Sequence, residues 1–100
     1  MLTSKQRAYL RGLANNYDSL FQVGKSGVTD TVVIQVVDAL KARELIKINS
    51  LENAPMTPKE IANDIALKAN CDVVQVVGRK MIFYKRNDKD PKIVLPKTKK

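Results

Sequence analysis

The feature that most limits what this chain can fold into is a regular alternation, end to end, of segments with helical and with strand periodicity. Leu10, Leu13, Ala14 and Tyr17 recur at helical spacing and predict a first helix from Ser4 to about Asn15, capped by Thr3 or Ser4. Leu20-Phe21-Gln22-Val23 reads as a short strand. Thr29 suits the N-cap of a second helix ending near Arg43, whose inner stripe is Val33, Val36, Val37 and Leu40. Glu44 to Asn49 reads as a strand and residues 51–56 as a loop. Thr57-Pro58-Lys59-Glu60 is a strong helix start, with a capping threonine, proline at the first helical position and glutamate completing a capping box. Ile61, Ala62, Ile65 and Ala69 give that third helix its inner face. Asp72 to Val77 is valine-rich and reads as a largely buried strand. Gly78-Arg79-Lys80 then turns the chain into a last strand, Met81 to Arg86.

The order is therefore α-β-α-β-α-β-β. Strands joined through helices favour parallel pairing with right-handed crossovers, and the closing hairpin adds an antiparallel strand. The expected fold is α/β, a small four-stranded mixed sheet packed with helices. One hundred residues suffice for one core, and no repeat or interdomain linker interrupts them. Residues 1–86 read as a single domain and 87–100 as a basic C-terminal tail. Within that tail, Pro91 to Pro96 is apolar enough to dock, whereas Lys97, Lys99 and Lys100 read as solvated.

Composition removes most catalytic chemistry. The chain has no histidine, hence no imidazole base, no Ser-His or Cys-His pair and no use of the commonest metal ligand. Its single cysteine, Cys71, excludes an internal disulfide and an ordinary structural zinc site, and reads as a small buried hydrophobe. Glu60 and Asp64 lie near a helix start, where the helix dipole accounts for them better than a catalytic pair does. No enzyme, metal or cofactor is expected. The N-terminus reaches charge at once, and the most apolar run, Val32 to Val37, is far too short to span a bilayer. A cytoplasmic location without membrane association is expected.

Charge points to the partner. Eighteen basic and ten acidic side chains leave a net charge of +8. Residues 1–29 carry four basic and one acidic side chain (+3), residues 30–78 five and seven (−2), and residues 79–100 nine and two (+7). The positive charge thus sits at the two ends, which folding must bring together if they are to form one patch.

Between the first strand and the second helix stands Gly24-Lys25-Ser26-Gly27. Glycines three apart allow a tight turn and positive φ, and the following helix N-terminus offers unpaired amides and partial positive charge. Together these make a phosphate seat, to which Lys25 adds a cation and Ser26 a hydroxyl. The same logic operates in the GxxG loop of KH domains. Two glycines in a strand-to-helix turn are also explained by geometry alone. The spacing is not that of a Walker A loop, which argues against nucleotide hydrolysis.

The whole chain also resembles a known family. Leu2 to Arg7 with Leu10-Arg11, Val23 to Thr29, Glu44 to Ile48, Val74 to Arg79, and Tyr84 with Lys85-Arg86 occur in the order of a YhbY-like, or CRM (chloroplast RNA splicing and ribosome maturation), RNA-binding domain. Ile93, Leu95 and Pro96 fit the same pattern. The chain is about as long as one such domain and so resembles the free-standing bacterial form. The resemblance implies a fold similar to the C-terminal domain of translation initiation factor 3, preceded by an extra helix. It also implies RNA binding through the GxxG loop and association with precursors of the large ribosomal subunit. Asn15 and Arg43 stand where the family often has histidine, so no role is assigned to either.

Around the loop, Arg7 and Arg11 lie four apart on one flank of the first helix, where they line an RNA surface or simply solvate that flank. Arg79 and Lys80 occupy a turn, a place for phosphate contacts or for ordinary polar residues. Lys85 and Arg86, on adjacent strand positions, would face opposite ways. Of the aromatics Tyr9, Tyr17, Phe21, Phe83 and Tyr84, most are assigned to core packing, so backbone or shape readout is favoured over base stacking. The candidate RNA-binding set is Arg7, Arg11, Gly24, Lys25, Ser26, Gly27, Arg79 and Lys80, in a monomer with no small-molecule substrate. The rival is a basic adaptor for an acidic protein surface.

Overall fold

Each helix among the described residues opens on a threonine. The computed structural model describes residues 2–87, 89, 91 and 93–95. Its helices are α1 (Ser4–Ala14), α2 (Asp30–Arg43) and α3 (Pro58–Ala69). Thr3, Thr29 and Thr57 are extended, and each hydroxyl accepts the backbone N–H of the third helical residue, at 3.1 to 3.2 Å. At α1 and α3 the box is completed by Gln6 and Glu60, which accept the N–H of Thr3 and Thr57. α3 ends at Asn70 in the left-handed conformation that asparagine tolerates.

Four strands, β1 (Gln22–Val23), β2 (Leu45–Ser50), β3 (Asp72–Val77) and β4 (Lys80–Tyr84), form one sheet in the order β1-β2-β4-β3. β1 pairs parallel with β2, and β4 pairs antiparallel with both β2 and β3. The fold is thus α/β with a mixed four-stranded sheet. β2 and β3, joined through α3, run parallel as expected, but β4 lies between them. Alternation sends successive side chains to opposite faces. One face, with Val23, Ile46, Ile48, Met81 and Phe83, packs on Val36 and Leu40 of α2 and Ile61, Ala62, Ile65 and Ala69 of α3. The other, with Leu45, Val74, Ile82 and Tyr84, packs on Leu2, Leu10 and Ala14, and Leu13, Ile93 and Leu95 close around it. No helix among the described residues is long and apolar enough to cross a membrane.

Several elements differ from their sequence reading. β3 is not largely buried: the hairpin inserts β4 between β2 and β3, leaving β3 on an edge with Val77 57% exposed. A bulge between Val73 and Gln75 sends Val74 into the α1-side core and interrupts that edge, a feature that discourages edge-to-edge pairing. β1 shrinks to two residues, although the N–H of Leu20 still donates to the carbonyl of Lys47 at 2.9 Å. The hairpin loop is Gly78-Arg79, with Lys80 already in β4. Positive φ at Gly78 (58°) alone fits a type II′ turn. β4 ends at Tyr84, so Lys85 and Arg86 follow the strand and are not on it. Glu44, read as the first strand residue, instead has φ 63° and caps α2 with a fully buried side chain. Lys97, Lys99 and Lys100 lie outside the described residues.

Candidate nucleic-acid interface

The segment from Gly24 to Gly27 is a β-turn closed by one bond, from the N–H of Gly27 to the carbonyl of Gly24 at 2.9 Å. Lys25 and Ser26 occupy its central positions, exposed and without positive φ, as in a type I turn. The two glycines have unequal reasons to be there. Gly27 is buried at φ 69°, and a Cβ on it would lie 3.1 Å from Cγ of Pro55. A Cβ on Gly24 would meet only Cδ1 of Leu51, at an ordinary 3.5 Å.

Among the described residues, the backbone amides of Lys25 and Ser26 donate to no protein group. The N-terminus of α2 is a poorer seat than its sequence suggests. Thr29 already occupies the amide of Val32, and Asp30 places a carboxylate in the first turn. The anion-accepting part of the motif is therefore the tip: two amides, the Lys25 ammonium and the Ser26 hydroxyl.

Sheet register brings further cations to this end of the molecule. The N–H of Leu51 donates to the carbonyl of Val23, that of Ser50 to the carbonyl of Arg79, both at 2.8 Å, and Asn49 pairs with Lys80. The glycine turn, the loop after β2 and the hairpin turn thus stand in a row, with Lys25, Arg79 and Lys80 among their exposed residues. Arg79 approaches Glu52 at 3.9 Å, with both side chains mostly in water, a pairing that holds the guanidinium only weakly.

Arg7 and Arg11 are half-buried on α1, on the opposite face of the sheet from α2 and α3. Gln6, on the other flank of α1, lines a hollow with Asn70, Cys71, Asp72 and Arg86, where β3 begins. Helical spacing puts Arg7 and Arg11 on the flank of α1 away from that hollow. Alternation puts the Lys80 side chain on the α1 face of the sheet. The Nε of Arg7 is buried and has no hydrogen-bond partner among the described residues.

Two features of this face were missed in the sequence. Lys47 shares it by register with Leu45 and is only 8% exposed, with no ion pair among the described residues. A lysine inside Leu-Ile-Lys-Ile was its only signal. Tyr17, read as part of the inner stripe of the first helix, is 39% exposed, and Tyr9 is 42% exposed. Tyr17 lies beyond the end of α1, so the helical periodicity does not extend to it. Phe83 and Tyr84 are buried and Phe21 is half-buried. Cys71 packs against the core beneath α3, and burial, reinforced by Asp72 and opposed by Lys85, pushes its thiol up to about 12. Glu60 serves the helix cap and Asp64 pairs with Lys68 at 3.2 Å. No group of three or more potential metal-ligating side chains forms among the described residues.

Fold and site together define a small α/β domain that presents a glycine-bounded basic turn beside a partly open, cation-bearing sheet face. The chain belongs to the CRS1/YhbY (CRM) domain family, whose pattern it matches over residues 2–85. It is 38% identical over 96 residues to the Bacillus subtilis protein named "Probable RNA-binding protein YqeI", covering 96% of this chain and all of that one. It is 31% identical, again over 96 residues, to a Haemophilus influenzae protein named "RNA-binding protein", covering 96% of both. Its structure is similar to the solution structure of SAV1595 from Staphylococcus aureus, with TM-score 0.81 and 40% identity over 96% of this chain and 100% of that one.

Proposed function

We propose that this protein binds RNA without catalysing a reaction, seating the sugar-phosphate backbone on the turn Gly24–Gly27. Arg79 and Lys80 extend the contact at the same end of the sheet, and Arg7 and Arg11 extend it along the adjoining face. The RNA is that of large-ribosomal-subunit precursors, met in the cytoplasm by a monomer. Residues 1–86 form the RNA-binding domain, and 87–100 a basic appendage. The observation that carries this reading is the exposed turn tip, where two unpaired amides, a hydroxyl and an ammonium converge. The names of the relatives, which specify RNA, support the choice among polyanions.

Contact with about six phosphates gives roughly a 10³-fold loss of RNA affinity between 50 and 200 mM salt. The double variant Lys25→Glu, Ser26→Asp alters only exposed side chains. It should keep the parent's melting temperature and bind RNA at least tenfold more weakly. A salt-independent affinity, or undiminished binding by the variant, would refute the reading. In cell extract the protein should sediment with immature large subunits and leave them on nuclease treatment. Retention after nuclease would instead indicate an acidic protein surface as the partner.

A further inference from the structure

The far end of α2 carries a second concentration of positive charge. There the last turns of α2 and the residues after β4 border a half-open cavity of ≈470 Å³. Val37 and Leu40 supply its apolar lining, and Lys41, Lys85, Arg86 and Lys89 its charge. No carboxylate lines it among the described residues.

The cations are held on a built frame. Glu44, fully buried, accepts the N–H of Asn87 on Oε2 at 2.6 Å and that of Ile93 on Oε1 at 2.7 Å. Its main-chain carbonyl accepts the N–H of Lys85 at 2.9 Å, and Nδ2 of Asn87 donates to the carbonyl of Lys41 at 3.2 Å. Both oxygens of this carboxylate are thus engaged by backbone amides. The same bonds hold Lys85 and Asn87 against the end of α2, so Lys85 and Lys41 line the pocket in advance of any ligand.

We propose that this cavity is a second RNA-binding site that takes one nucleotide unit, phosphate on the cations and sugar or base on Val37 and Leu40. The inference rests on the RNA-binding reading above. The volume is in the range of small-ligand pockets. α2 spans 14 residues, which at about 1.5 Å per residue separates the cavity from the glycine turn by roughly 20 Å. RNA is thereby gripped at both ends of one helix, which sets its path across the domain.

The test uses a fluorescein-labelled 12-nucleotide oligouridylate and the full chain. Lys41→Glu, Lys89→Glu reverses two exposed cations of the cavity. Lys5→Glu, Lys59→Glu makes the same change in net charge at exposed sites away from it. The cavity variant should bind at least tenfold more weakly, and its log affinity against log salt should flatten by about 1.4, two single-strand phosphates' worth. The control variant should lose less than threefold. The neutral pair Lys41→Gln, Lys89→Gln gives the same readout should the reversal perturb folding. In NMR titrations with 5′-uridine monophosphate, the amides of Asn87 and Lys89 should shift in the parent and not in the cavity variant. Unchanged affinity in the cavity variants, or equal loss in the control, overturns the second site, while weakening by Lys25→Glu would leave the turn reading intact. Loss of binding to polyglutamate with RNA binding retained also overturns it, in favour of a protein ligand. A parent that binds no RNA removes both readings.

Discussion

At the scale of single residues, the glycine motif shows what a sequence can and cannot convey. Gly24 and Gly27 look equivalent on paper, yet only Gly27 combines positive φ with a neighbour pressed against its missing Cβ. Gly27→Ala should cost about 1–2 kcal/mol from the left-handed backbone alone, lowering the melting temperature by roughly 5–15 °C for a domain of this size. Gly24→Ala places its methyl in ordinary contact and should stay within about 0.5 kcal/mol of the parent. Equal melting temperatures for the two variants would contradict this division of roles. Lys25 and Ser26 were legible as candidates because a turn tip needs no tertiary information. Lys47 was not, because its near-burial depends on β4 beside it and on the Tyr17–Leu20 segment, both distant in sequence.

At the scale of elements, the three helix starts were legible because a cap is made within four residues. Thr57 and Glu60 show this with a measurable consequence. The backbone N–H and hydroxyl of Thr57 hold the Glu60 carboxyl below its ordinary value of 4.5. A group whose pKa is lower in the folded than in the unfolded state stabilises above the unfolded value, and that contribution disappears as pH falls through the folded one. Thermal denaturation of the parent should therefore lose stability between about pH 5 and pH 3. Glu60→Gln should be flatter over that window, and less stable than the parent near pH 6. A parallel pH profile for the two proteins would exclude the capping carboxylate as a source of the dependence. The strands were less legible. Their existence follows from local composition, but their order does not. Once the hairpin folds β4 back beside β2, β3 becomes an edge despite its run of valines. β1 shortens because it has only one neighbour, β2, and shares just two register pairs with it.

At the scale of the molecule, the described basic residues of the C-terminal part divide between two places, and only one of these meets the N-terminal cations. Arg79 and Lys80 turn toward the glycine loop at one end of the sheet, while Lys85, Arg86 and Lys89 gather at the other. The divider is β4 itself, which carries the chain from one end to the other between the two groups. Glu44 decides where the second group stays, and its role is invisible in the sequence because its partners are 43 and 49 residues away. Glu44→Gln keeps the size of the side chain but exchanges one accepting oxygen for a donor that faces a backbone N–H. A lost charge-assisted bond, together with a buried amide left unpaired, should cost about 2–3 kcal/mol. Because Ile93 and Leu95 close the α1-side core, the loss should not stay local. Hydrogen exchange should show Asn87 and Ile93 losing protection first, with Leu10 and Ala14 of α1 following at the lower global stability. Unchanged exchange at Asn87 and Ile93 would mean that apolar packing alone holds the segment, and that the buried carboxylate does not organise the basic end of the fold.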